Sequence, residues 1–131
     1  MSTAAADAMN SKTEWYRLGG SARSKRNYIK RLCQQIGSAF LPERIILFGS
    51  QAYGKPREDS DIDLLIVMPY EGSHAAQAIR ILNHLNVLAP IDLLVRSPEE
   101  VRKRIEIGDS FMREIVGQGK VMYEATHARL D

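Results

Sequence analysis

Ile45-Ile46-Leu47-Phe48-Gly49-Ser50-Gln51-Ala52-Tyr53-Gly54-Lys55-Pro56-Arg57-Glu58-Asp59-Ser60-Asp61-Ile62-Asp63-Leu64-Leu65-Ile66-Val67-Met68 sets the reading of the whole chain. Two short apolar runs rich in branched residues flank a polar, turn-rich segment, which predicts two buried strands joined by a loop. Side chains alternate along a strand, so Asp61 and Asp63 project to one side at the start of the second strand. Two carboxylates about 4 Å apart repel by roughly 4 kcal/mol at an effective dielectric near 20. A hard divalent cation such as Mg²⁺ removes that repulsion, because it prefers oxygen ligands. At the end of the first strand Gly49 permits close approach of a ligand to the backbone. Ser50 adds a hydroxyl and, if a helix starts there, N–H groups aimed at an anion. The pattern is a phosphate cradle beside a metal-binding carboxylate pair.

Outward from this stretch the chain alternates helices and strands. Tyr28, Ile29, Leu32, Ile36 and Phe40 recur at helical spacing and predict a helix over about 23–40. Strands are expected at Arg44–Phe48 and at about Ile62–Met68, with a short helix from Ser50 to about Tyr53 and a loop over 54–60. Ala75, Ala78, Ile79, Leu82 and Leu85 form the stripe of a helix over 74–88, and a third strand is expected at Ile91–Val95. Ser97-Pro98-Glu99-Glu100 reads as a capped helix start running to about Ile107. A further short helix is expected over Ser110–Val116, and a short final strand over Lys120–Tyr123. This order predicts an α/β sandwich in one compact domain. The domain is expected over 21–126, after a flexible segment over 1–20 and before a tail over 127–131.

The chain has 131 residues, a formal charge of +2, 44% hydrophobic and 26% charged residues, the balance of a soluble globular protein. The small net charge does not indicate a nucleic-acid partner. Cys33, the single cysteine, excludes an internal disulfide, no apolar run is long enough to span a bilayer, and no signal-peptide pattern opens the chain. A cytoplasmic protein is expected.

Gly49-Ser50, ten intervening residues and Asp61-x-Asp63 resemble the signature of nucleotidyltransferases related to DNA polymerase beta. The short chain is similar to their minimal nucleotidyltransferase (MNT) branch, and the resemblance covers roughly 25–124. It implies a polymerase beta-like fold, a small mixed β-sheet with helices packed mainly on one face. It implies a third carboxylate on a later strand, matched by Asp92 in Pro90-Ile91-Asp92-Leu93-Leu94-Val95. Asp61, Asp63 and Asp92 would then be the catalytic, metal-binding triad. Two Mg²⁺ ions about 3.5–4 Å apart would serve the attacking and leaving oxygens, and Gly49 and Ser50 would hold the β- and γ-phosphates. The implied reaction carries a nucleoside monophosphate, expected to be AMP from ATP, to a hydroxyl. Members of the branch resemble antitoxins paired with a HEPN-domain toxin, so a tyrosine of such a partner is the implied acceptor. The alternative is a non-catalytic nucleotide-binding antitoxin that neutralises its partner by contact. At this length the acceptor-holding domain of larger relatives that modify aminoglycosides or tRNA ends is not expected. Homo- or hetero-oligomers remain open.

Competing motifs are weaker. Gly49-x-x-x-x-Gly54-Lys55 approaches a P-loop, but Pro56 stands where Ser or Thr is needed. His74, His84 and His127 show no ligand spacing with one another or with Cys33. Arg23, Lys25, Arg26, Lys30 and Arg31 cluster at the start of the first helix. They read either as a solvated face or as a contact for an acidic partner or nucleic acid. Lys55 and Arg57 lie within the motif loop, as solvated groups or phosphate contacts.

Overall fold

A computed structural model describes residues 22–53, 61–85 and 90–126. Within them the elements are α1 (Ala22–Phe40), β1 (Arg44–Phe48), α2 (Ser50–Tyr53), β2 (Ile62–Val67), α3 (His74–His84), β3 (Ile91–Arg96), α4 (Pro98–Glu106), α5 (Ser110–Gln118) and β4 (Lys120–Glu124). The strands form one mixed sheet in the order β3-β2-β1-β4. β1 runs antiparallel to β2 and β4, whereas β2 and β3, joined across α3, are parallel.

Helices cover both faces. On one face α1 and α3 bring Ile29, Leu32, Ile36 and Ile81 against Ile45, Leu47, Ile62, Leu64 and Ile66. On the other, α4 and α5 bring Val101, Met112 and Ile115 against Ile46, Leu65 and Val67. The expectation of helices mainly on one face is therefore corrected. The physical reason is written in β2: Leu64-Leu65-Ile66-Val67 is apolar without alternation, and all four side chains are buried. Asp63 occupies the position on the α4/α5 side where that run stops being apolar.

Helix ends follow local chemistry. Ser97 accepts from the Glu100 N–H at 3.1 Å and Glu100 accepts from the Ser97 N–H at 2.8 Å, a complete capping box. The same Glu100 carboxylate accepts from the Tyr70 hydroxyl at 2.7 Å, tying the segment after β2 to the start of α4. α3 stops at His84, short of the expected 88, because Leu85 adopts an extended backbone and donates its N–H to Leu82. α5 continues past the expected Val116 to Gln118, with Gly117 inside it and Gly119 as its cap. A Cβ at Gly119 would meet the Ile115 carbonyl and the Ile46 side chain, so glycine permits the close return of the chain to β1. The expected flexible segment over 1–20, the loop over 54–60 and the tail over 127–131 lie outside the described residues.

Candidate active site

The sheet topology gathers three segments at one end. Phe48 pairs with Asp63 at the last position of the β1–β2 ladder, and Asp63 pairs with Asp92 in the parallel β2–β3 ladder. Neighbouring strands lie about 4.8 Å apart, and directly paired residues share a face. Asp63 and Asp92 therefore stand side by side. Asp61, two residues before Asp63, falls on the same side by alternation. Ladder bonds thus bring Asp63 and Asp92 together, while Asp61 stands in the segment leading into β2; Asp61 and Asp92 are exposed and Asp63 is partly buried.

Gly49 closes the other side. Its φ of +74° turns the chain out of β1. Its carbonyl accepts the N–H groups of Ala52 at 3.0 Å and Tyr53 at 3.3 Å, forming the single turn of α2 that Ser50 opens. A Cβ at Gly49 would collide with the Asp63 carboxylate, lying 3.2 Å from its Cγ. The absence of a side chain lets the backbone of the Gly49-Ser50 turn approach the Asp63 carboxylate closely.

Burial raises the pKa of Asp63, and the charges of Asp92 and Asp61 raise it further. A cluster that resists ionisation in this way is suited to a cation that stabilises its charged form. Among the described residues no group of three or more histidine, cysteine, aspartate or glutamate side chains is arranged to hold a metal ion. The chemistry of the donors alone, hard carboxylate oxygens, fits Mg²⁺. One feature beside the triad had no signal in the linear sequence. Phe48, the ladder partner of Asp63, packs edge-to-face against Phe111 of α5 with ring centroids 5.8 Å apart. Phe111 is half exposed, so an aromatic surface borders the carboxylates. His84 is exposed and packs edge-to-face against Phe40 with ring centroids 5.3 Å apart.

Residues 25–123 match the model of the nucleotidyltransferase domain family. The chain belongs to that family. This nucleotidyltransferase is also similar to a Methanocaldococcus jannaschii protein named "Putative protein adenylyltransferase MJ0604". The two are 37% identical over 82 residues, 62% of this chain and 78% of that one. A solved structure from Sulfolobus solfataricus, titled a "putative nucleotidyltransferase", matches with a TM-score of 0.47 and 22% identity. That match covers 74% of this nucleotidyltransferase and 79% of the other chain.

Proposed function

We propose that this nucleotidyltransferase transfers AMP from ATP to a hydroxyl of a partner protein. The observation that carries the reading is the register that aligns Asp63 with Asp92 and sets the Gly49 turn against the Asp63 carboxylate. Phosphate-motif backbone and carboxylates then address one substrate from two sides. Gly49 and Ser50 hold the distal phosphates. Asp61, Asp63 and Asp92 would hold Mg²⁺, which when bound supplies positive charge to the phosphoryl oxygens. Asp92, exposed beside Asp63, accepts the proton of the acceptor hydroxyl. The hydroxyl oxygen bonds to the α-phosphorus, the bond from that phosphorus to the β-bridging oxygen breaks, and pyrophosphate leaves.

The printed name of the M. jannaschii relative supports a protein acceptor. The motif's resemblance to MNT antitoxins supports a tyrosine of a HEPN-domain toxin as that acceptor. It thereby supports an antitoxin role in the cytoplasm. Among the described residues no helix is long and apolar enough to cross a membrane.

The test incubates the chain, Mg²⁺ and α-labelled ATP with a HEPN-domain protein. It compares wild type with Asp61→Asn/Asp63→Asn. Label on a partner tyrosine, lost in the variant, is the expected result. Full neutralisation of the partner by the variant, without label, would instead establish the non-catalytic reading. A nucleotide at 100 times its dissociation constant should add about 2.7 kcal/mol of stability to wild type.

A further inference from the structure

The outer strand β3 presents main-chain groups on either side of Asp92. The Ile62 N–H donates to the Pro90 carbonyl at 2.9 Å and the Met68 N–H to the Arg96 carbonyl at 3.0 Å. Together with the parallel register these bonds fix which groups of β3 face β2. In a parallel ladder a residue directs its N–H and C=O to one neighbouring strand, and the next residue directs both the other way. Asp92 and Leu94 therefore bond β2, whereas Ile91, Leu93 and Val95 turn their N–H and C=O groups outward. Among the described residues no strand lies beyond β3.

Native sheets blunt such an edge, and β3 is blunted only at its ends. Pro90 precedes it. At the other end Val95 is 1% exposed, and its carbonyl accepts from the Arg96 guanidinium at 2.7 Å. Between them Ile91 and Leu93 are partly exposed, and among the described residues no turn, loop or cap bond engages their N–H or C=O groups. The open stretch is centred on Asp92. Leu94 packs on the α4/α5 side, so Asp92 stands on that side too, and so would the residue that an added strand sets opposite it. In an antiparallel addition that residue forms the closer, non-hydrogen-bonded pair, Cα to Cα about 4.5 Å, while its two neighbours exchange bonds with Ile91 and Leu93. Charge selects the occupant. A second copy paired antiparallel over this stretch would set Asp92 against Asp92, and like charges directly opposite destabilise. A residue with a neutral hydroxyl meets no such repulsion and can donate to the carboxylate.

We propose that β3 binds the acceptor protein by strand addition: an extended segment of that protein pairs with Ile91 and Leu93 and sets its hydroxyl residue beside Asp92. The inference rests on the nucleotidyl-transfer reading and deepens it by naming the surface that meets the acceptor. A serine or threonine reaches Asp92 from the position directly opposite. A tyrosine reaches it from a diagonal position two residues along, about 7–8 Å away. Main-chain bonds carry the affinity, so the acceptor is recognised by its extended backbone and by the one residue in register with Asp92.

The test is amide hydrogen exchange, resolved by residue with NMR, on the isotope-labelled full chain alone and with the HEPN-domain protein of the transfer assay. In the chain alone Ile91 and Leu93 should exchange quickly, whereas Asp92 and Leu94, bonded to β2, should exchange slowly. The HEPN-domain protein at saturation should slow Ile91 and Leu93 by about tenfold or more. Leu93→Pro removes an outward N–H and no bond to β2. It should keep the Mg²⁺-ATP melting shift and lose about tenfold in label transfer at limiting acceptor, the factor for one main-chain bond left unmade. The exchange readout on wild type decides the matter even where that variant folds poorly. Slow exchange at Ile91 and Leu93 in the chain alone would show an edge already covered and overturn the proposal. Protection that grows with the chain's own concentration would assign the edge to a second copy and overturn it too. Label on the acceptor without added protection at these two amides would also overturn it, while leaving the transfer reading standing. Protection of both amides without label would sustain strand addition and sink the transfer reading.

Discussion

Substituting Gly49 by alanine separates the two reasons for a glycine in the motif turn. The first is backbone conformation. At φ +74° an L-residue pays about 1–2 kcal/mol relative to a right-handed conformation. Alanine also restricts the unfolded chain, returning roughly 0.4–1 kcal/mol. The net loss is about 1 kcal/mol, a fall in Tm of about 3–5 °C for a domain of this length. The second reason is the collision. The new Cβ meets the Asp63 carboxylate while lying 3.2 Å from Cγ and 3.5 Å from Cβ, so the terminal oxygens must swing away. Displacing a reacting group by about 1 Å can cost about 10²-fold in rate. Gly72 is the control. Its φ is +77°, but a Cβ there meets nothing within 4 Å. Gly72→Ala should lower Tm by a similar amount and leave the Mg²⁺-dependent ATP response intact, whereas Gly49→Ala should lose both stability and response. Thermal melts with and without Mg²⁺-ATP read both effects. A Gly49→Ala protein with wild-type melting and an undiminished ATP shift would refute the reasoning.

Two further outcomes follow from buried titratable groups. Because the folded state raises the pKa of Asp63, that group costs stability above its folded pKa. The cost is relieved as pH falls through the raised value toward the unfolded value near 3.9. Asp63→Asn, melted in a chelator, should therefore exceed wild type in Tm at pH 7, with the gap closing toward about pH 4; a variant less stable than wild type at pH 7 contradicts the assignment. Burial pushes the Cys33 thiol up to about 12, and its side chain is 0% exposed. A thiol reagent at neutral pH should label it only in denaturant, and rapid labelling of the native protein would show that α1 opens locally.

Most of the element order was legible because the signals are local. The Ser97-x-x-Glu100 box, the two apolar strand runs and the heavy apolar stripe of α1 each specify structure within a few residues. Asp61 and Asp63 could be paired from strand alternation alone, whereas Asp92 came in through family likeness and its neighbourhood with Asp63 needed the parallel register. Other features were illegible because they join distant segments. Phe111 reads as one more apolar residue on a short helix until it is found against Phe48. The two-sided packing was present in the uninterrupted Leu64–Val67 run, but the resemblance pointed toward a single covered face.

The ladder contact between Asp63 and Asp92 has a bearing on how such a protein can diversify. Two of the proposed site carboxylates, Asp63 and Asp92, are held together by main-chain bonds between strands, whereas Asp61 belongs to the segment leading into β2. Connections can be lengthened, shortened or rewritten without moving Asp63 relative to Asp92. Asp92, moreover, stands on β3, the outermost strand of the sheet on its side. Among the described residues the proposed row of carboxylates thus ends at a margin of the sheet. On the proposed function, selection acting on connecting segments could then exchange one acceptor for another while the pairing of Asp63 with Asp92 stays constant.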